Sequence, residues 1–207
     1  EYRVVPAGPT IAPAEWQACI DALDHATCDY LVVSGSLAPG IPDDFYARVT
    51  ARATARGIKV VLDSSGAGLR EGLASGHIHL FKPSLGELRQ LSGLPLESDG
   101  EIAEAAQAVV ASEHADLVAV TMGHEGALLA SKEGNIRLPA LPIEAVSTVG
   151  AGDCFVAGMV FALASGQTPA EAFRFGIAAG SAAVLTPGTD LAHPADIERL
   201  LPQVGPV

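Results

Sequence analysis

Ser147-Thr148-Val149-Gly150-Ala151-Gly152-Asp153, running directly into the apolar stretch Cys154 to Ala164, is the part of the chain on which its architecture turns. Two glycines flank an alanine, an acid follows, and a helix-like segment begins. Such a turn exposes backbone N–H groups at a helix N-terminus, where the macrodipole also favours an anion. Asp153 stands one residue beyond, placed to take a proton from a group that attacks the anion. One reading is therefore phosphoryl transfer, with Asp153 as base and Gly150, Ala151 and Gly152 as an oxyanion cradle. The other is a tight loop with an acid in the first helical turn, where Asp is favoured in any helix. The rest of the chain has to decide between them.

Downstream, Thr168-Pro169-Ala170-Glu171 combines an N-cap, a first-turn proline and an N3 glutamate. The helix it predicts, through Phe173 and Ile177 to Leu185, is rich enough in alanine and glycine for very close packing. Thr186-Pro187-Gly188-Thr189-Asp190 ends it, and a short helix from Pro194 to Leu201 follows.

Upstream, short apolar β-like runs alternate with helical patterns. Tyr2 to Val5 is the first run, and Pro13 then opens a helix with Trp16, Cys19, Ile20 and Leu23 on one apolar face. Tyr30 to Val33 leads into Ser34-Gly35-Ser36-Leu37-Ala38-Pro39-Gly40, and a helix from Pro42 closes at Gly57. Ile58 to Leu62 delivers Asp63-Ser64-Ser65-Gly66, and Ile78 to Phe81 delivers Lys82-Pro83-Ser84-Leu85-Gly86-Glu87. Ser98-x-x-Glu101 opens the clearest amphipathic helix, buried along Ile102, Ala105, Ala106, Val109 and Val110. Leu117 to Thr121 precedes the loop Met122-Gly123-His124-Glu125-Gly126, after which two strands are expected around Lys132-Glu133-Gly134. Repeated strand–helix alternation predicts an α/β fold, a mostly parallel sheet with helices on both faces. Small and polar residues gather at strand C-termini, where open α/β sheets carry their sites.

Ser84-x-x-Glu87 supports two compatible readings: a capping box, or Lys82 and Glu87 projecting from a strand end toward a metal-bound phosphate. His124 alone in a loop reads as a solvated side chain, and Cys154 lacks a neighbouring base for nucleophilic work.

A net charge of −12, from 12 Lys and Arg against 24 Asp and Glu, argues against a general nucleic-acid binder. Phosphorylated small molecules remain compatible, since a few cations and N–H groups suffice for them. The uncharged stretch Cys154 to Ala170 is broken by Gly158, Ser165, Gly166, Gln167 and Pro169, which argues against a membrane span. Cys19, Cys28 and Cys154 form no C-x-x-C pair, so buried thiols in a reducing cytoplasm are expected.

Taken together and in order, the Ser147–Asp153, Lys82–Glu87 and Thr121–Gly126 motifs resemble those of the ribokinase/PfkB family of sugar kinases. The Ser34–Gly40 and Asp63–Gly66 stretches resemble its phosphosugar branch, and the similarity runs along essentially the whole chain. The resemblance implies a ribokinase-like three-layer sandwich and ATP-dependent phosphorylation of a phosphorylated ketohexose, fructose 6-phosphate foremost. It implies Asp153 as base, Gly150, Ala151 and Gly152 as anion hole, and Glu87 organising Mg²⁺ through water. Lys82 and Thr148 would approach the ATP phosphates, with Ser84 in the metal region. Thr121, Gly123 and Gly126 would line the ATP loop, Ser181 would sit near the adenine, and Ser36 would touch the phosphosugar. A K⁺-like ion would lie against Ser147, Val149, Ala183, Thr186, Gly188 and Asp190.

The chain departs from the family at Ser84, where Asn is usual. Family members also carry an N-terminal portion before the residue matching Glu1, supplying early strands, most acceptor contacts and a lid that often dimerises. The 207 residues thus read as one α/β domain, the nucleotide-binding and catalytic-base part of a homodimeric cytoplasmic enzyme of glycolysis. By themselves they are expected to show little turnover. Alternatives are a 1-phosphofructokinase, a tagatose-6-phosphate kinase, a nucleoside kinase, or a non-catalytic nucleotide-binding module. A dinucleotide-dependent oxidoreductase fits poorly, because no strand–GxGxxG–helix unit is present.

Overall fold

Alternation along the strands decides which of two cores each side chain enters. The computed structural model describes residues 8–206, so the expected strand Tyr2 to Val5 lies outside the described residues. The strands are β1 (Tyr30–Ser34), β2 (Lys59–Asp63), β3 (Ile78–Phe81), β4 (Ala115–Thr121), β5 (Ala127–Ser131) and β6 (Gly134–Leu138). They form one six-stranded sheet in sequential order, β1-β2-β3-β4-β5-β6. The first four are parallel; β5 and β6 complete an antiparallel meander around the predicted turn at Lys132-Glu133-Gly134.

Helices α1 (Pro13–Ala22), α2 (Phe45–Thr54), α3 (Gly66–Ala74), α4 (Leu85–Ser92) and α5 (Asp99–Ala111) precede or connect the parallel strands. Right-handed crossovers that always step in one direction put all their helices on the same face. Val60, Leu62, Val118, Val120 and Leu128 turn to that face and pack with Tyr46, Val49, Leu69, Leu73, Leu88, Ile102 and Val110. Val61, Leu80, Leu117, Ala119 and Leu129 turn to the other, under α6 (Ala151–Ala164), α7 (Pro169–Ala183) and α8 (Pro194–Leu200). The period-2 geometry of a strand thus divides each apolar run between two cores, which is why the runs read as continuously hydrophobic.

The capping boxes close as the sequence predicts: Ser84 with Glu87 for α4, Ser98 with Glu101 for α5, and Thr168 with Glu171 for α7. Two expectations shift. Helix α2 starts at Phe45, since Pro42 to Asp44 form a turn in which the Phe45 N–H donates to the Pro42 carbonyl at 3.0 Å. Cys19 and Cys28 are exposed, and only Cys154 is buried. Helix α1 and the turn that follows it touch their neighbours through Trp16, Ile20 and Leu23, and Cys19 falls outside that contact.

Helices α6 and α7 pack backbone to backbone. A Cβ placed on Gly158 would lie 2.7 Å from the Ala179 Cβ, and one on Gly176 would lie 2.6 Å from the Met159 Cγ. One on Gly180 would lie 3.0 Å from the Ala151 carbonyl, so α7 braces the first turn of α6. Among the described residues, no helix is long and apolar enough to cross a membrane.

Candidate active site

Parallel register lines up the strand ends. Ser34 pairs with Asp63, the Gly35 N–H donates to the Asp63 carbonyl at 2.9 Å, and the Lys82 N–H donates to the Leu62 carbonyl at 3.0 Å. Ser84 bridges to Thr121, whose N–H donates to the Pro83 carbonyl at 3.0 Å. Four polar strand exits, expected separately from sequence, therefore form one carboxyl edge.

Lys82 is the cation of that edge. It is only 5% exposed, and its Nζ lies 3.0 Å from Asp63 Oδ1. A Cβ on Gly152 would lie 3.6 Å from Nζ, so the ammonium sits against the first turn of α6. Burial pushes the Asp63 carboxyl above its ordinary pKa. Lys82 opposes that rise, and the negative charges of Asp153 and Glu87 add to it. One cation thus faces three converging carboxylates, and desolvation makes the unpaired charges costly.

The first turn of α6 presents open backbone donors at the sheet edge. Gly150 precedes it at φ +82°, a left-handed conformation that suits glycine. The helix begins at Ala151, ahead of the apolar run, so Asp153 stands exposed in its first turn. The Ala151 N–H donates to the Thr148 carbonyl at a long 3.4 Å. The N–H groups of Gly150 and Gly152 have no acceptor among the described residues, as at any helix start, and a helix N-terminus of this kind can take an anion.

Glu87 serves its helix first. Its Oε2 accepts from the Ser84 N–H at 2.7 Å and the Ser84 hydroxyl at 2.8 Å. That bond to Ser84 is the capping contact weighed in the sequence. The second oxygen has no partner among the described residues. Ser84, Thr121 and Gly123 border an open cleft of about 430 Å³ with Arg89, Leu96 and His124 on its walls. Gly126 is buried away from it: a Cβ there would meet the Leu138 carbonyl at 2.2 Å, so β6 dictates a glycine.

The remaining candidates divide into two groups. Ser36 is exposed at the β1 exit, Thr148 is exposed before α6, and Ser181 is half-buried on α7 beside Gly180. No hydrogen bond ties Ser36 or Ser181 to the others among the described residues. The oxygen-rich set around Ser147 and Thr186 is tightly knit. The Ser147 hydroxyl donates to the Gly188 carbonyl at 2.9 Å and accepts from the Val149 N–H at 3.3 Å. The Thr186 hydroxyl lies 2.8 Å from the carbonyls of both Ala183 and Asp190.

Among the described residues, no three His, Cys, Asp or Glu side chains gather into a metal cage. Two contributors escaped sequence reasoning. In the sequence Asp63 is only part of a polar strand end, and its partnership with Lys82 needs the β2–β3 register. Tyr46, which no motif singles out, sends its hydroxyl to the Gly35 carbonyl at 2.9 Å.

Comparison with known proteins identifies the family and the fold. The pattern of the pfkB family carbohydrate kinases matches residues 1–196. The chain is 39% identical over 201 residues to the ATP-dependent 6-phosphofructokinase isozyme 2 of Mycobacterium tuberculosis, covering 96% of this chain and 59% of that one. It is 38% identical over 180 residues to the 1-phosphofructokinase of Haemophilus influenzae, covering 86% and 57%. The crystal structure of Escherichia coli phosphofructokinase-2 in complex with potassium superposes with a TM-score of 0.93 at 36% identity, covering 98% of this chain and 66% of that one. The chain therefore spans less than two thirds of the length of these relatives. On the strength of the pattern, the identities and the shared fold, this chain belongs to the pfkB family of carbohydrate kinases.

Proposed function

We propose that the chain supplies the nucleotide-binding and catalytic-base part of an ATP-dependent kinase for a phosphorylated ketohexose, with fructose 6-phosphate as acceptor and fructose 1,6-bisphosphate as product. The observation that carries this reading is the convergence of the buried Lys82–Asp63 pair on the α6 turn that holds Asp153 and the unpaired N–H groups of Gly150 and Gly152.

The γ-phosphoryl would lie over the Gly150–Gly152 turn, where N–H groups and helix dipole meet the charge that grows on its oxygens. Asp153 would take the proton of the acceptor hydroxyl as that oxygen bonds to phosphorus. The bond from phosphorus to the bridging oxygen breaks, and ADP leaves with the electron pair. Lys82 would stabilise the charge on the phosphates as a point cation. Thr148 would approach the same phosphates, Thr121, Gly123 and Gly126 would shape the nucleotide loop, and Ser181 would flank the base. Mg²⁺, when bound, shields phosphate charge. Glu87 would reach it through water, a mode that suits this ion and does not need a cage of side chains. The hydroxyl and carbonyl oxygens of Ser147, Val149, Ala183, Thr186, Gly188 and Asp190 fit a monovalent cation in chemistry, and would brace the anion turn from behind. Ser36 would contact the phosphosugar. Assembly as a homodimer and residence in the cytoplasm belong to the same reading.

Identity of 38% to a 1-phosphofructokinase supports a second acceptor, fructose 1-phosphate. A coupled ADP-release assay on the gene product that carries this chain separates the two acceptors. Asp153→Asn should lower kcat by about 10²- to 10⁴-fold, the usual range for a positioned base, and leave ATP affinity nearly unchanged. Lost ATP affinity at unaltered turnover would remove Asp153 from the role.

A further inference from the structure

Beside the α6 turn, the loop after β1 is held by a second polar device. The Gly35 carbonyl accepts two hydroxyl bonds, from Tyr46 of α2 at 2.9 Å and from Ser64 after β2 at 2.8 Å. The Gly35 N–H donates to the Asp63 carbonyl at 2.9 Å. Both hydroxyls come from buried residues: Tyr46 is 8% exposed and Ser64 is 4% exposed. Burial also raises the Tyr46 pKa, which keeps its hydroxyl a donor. The ring is fixed in turn by α3. A Cβ on Gly68 would lie 3.0 Å from the Tyr46 Cδ2 and 3.0 Å from the Leu37 Cγ, so helix, ring and loop are in contact.

This arrangement fixes a peptide plane. In a trans peptide the carbonyl of one residue and the N–H of the next point in opposite directions, and no cis bond occurs among the described residues. With the Gly35 carbonyl drawn into the protein by two donors, the Ser36 N–H is turned outward. Ser36 is exposed, and it has no hydrogen-bond partner among the described residues. Two buried hydroxyls converge on one carbonyl, Tyr46 reaching the Ser34 carbonyl as well at 3.4 Å, and with an outward amide as the result they make a loop set to receive an acceptor group.

We propose that Tyr46 and Ser64 are positioning residues for the acceptor: by holding the Gly35 carbonyl, they aim the Ser36 N–H at the phosphate of a phosphosugar. The inference rests on the phosphosugar-kinase reading above. It assigns the two hydroxyls to acceptor affinity, apart from the nucleotide and from the proton transfer at Asp153.

The test compares Tyr46→Phe, Ser64→Ala, the double variant and Ser64→Thr with the parent protein. Kinetics are read with ATP and with fructose 6-phosphate or fructose 1-phosphate, and the ¹⁵N-labelled protein is titrated with the same sugar phosphates while the Ser36 amide signal is followed. Each deletion should raise acceptor KM about threefold to tenfold, the range of one hydrogen bond. The double variant should exceed either single one, with kcat and ATP KM within about twofold, and Ser64→Thr should restore the parent value. The parent Ser36 amide should shift on titration, and need higher sugar phosphate to do so in the variants. Equal weakening of ATP and acceptor would mean general loosening and overturn the inference, as would an unchanged acceptor KM in the double variant. Turnover of a sugar phosphate with a silent Ser36 amide overturns this inference alone. Neither turnover nor binding of either sugar phosphate removes the proposed function and this inference together.

Discussion

The closest backbone approach between helices gives a prediction whose sign is set by geometry. Gly→Ala in an exposed helix normally stabilises by about 0.5–1 kcal/mol, through helix propensity and a less flexible unfolded chain. Gly100 in α5 is such a site, since an added Cβ finds only the Ser98 Oγ, at 3.9 Å. Gly158 in α6 is the opposite: its Cβ would lie 2.7 Å from the Ala179 Cβ, 3.2 Å from the Phe175 carbonyl and 3.3 Å from the Gly176 Cα. Carbon atoms rest at about 3.5–4.0 Å, so α6 and α7 would have to part by about 1 Å. None of the three obstructing atoms can rotate away. Overpacking of this kind costs about 1–3 kcal/mol, and the upper half of that range applies where the obstacle is rigid. After the propensity gain of about 1 kcal/mol, Gly158→Ala should destabilise by about 1–2 kcal/mol. For a chain of this size that lowers Tm by about 2–8 °C. Thermal and urea unfolding of both variants, side by side, is the assay. A Gly158→Ala protein at least as stable as the parent, while Gly100→Ala is stabilised as expected, would show that the two helices are not in backbone contact.

Two further outcomes follow from the buried pair. Lys82→Met leaves Asp63 facing Asp153 and Glu87 without its cation, so the Asp63 pKa should rise further and stability should fall by about 3 kcal/mol, the cost of breaking a buried pair; side-chain carboxyl NMR and urea unfolding read the two effects, and an unmoved Asp63 would refute the pairing. The folded pKa of Asp63 already stands above its unfolded value of 3.8. The native state therefore binds more protons there than the unfolded state, and the Asp63 contribution to stability falls as pH rises from about 4 through the folded pKa. Asp63→Asn should flatten that part of the stability–pH curve, and an unchanged curve would assign the slope to other groups.

Local chemistry was legible in the sequence wherever a few adjacent residues determine it. The Ser84, Ser98 and Thr168 caps, the Lys132-Glu133-Gly134 turn and the glycine start of α6 depend on spacings of two to four residues, and each is where it was expected. Partnerships that depend on sheet register were not legible. Asp63 and Lys82 are distant in sequence and meet because β2 and β3 exit side by side. Tyr46 carries no local signal in the sequence, and only the fold shows that its oxygen ends at the Gly35 carbonyl. Cys19 failed for a related reason: periodicity gives the phase of a helix face but not how far its neighbours reach, and α1 is covered on one flank only.

The sequential strand order bears on how the chain is made. From β2 onward, each described strand pairs with its immediate predecessor, so a growing polypeptide can add each of these units to an edge that already exists. One face of the sheet acquires its helices along the way. Among the described residues, the helices that cover the other, over Val61, Leu80, Leu117 and Ala119, are α6 and α7, which follow residue 150. A nascent chain stalled before that point would display an apolar sheet surface, the kind of exposure that recruits chaperones. The same late hairpin carries Asp153, so burial of the second face and delivery of that carboxylate to the sheet edge occur in a single step of synthesis.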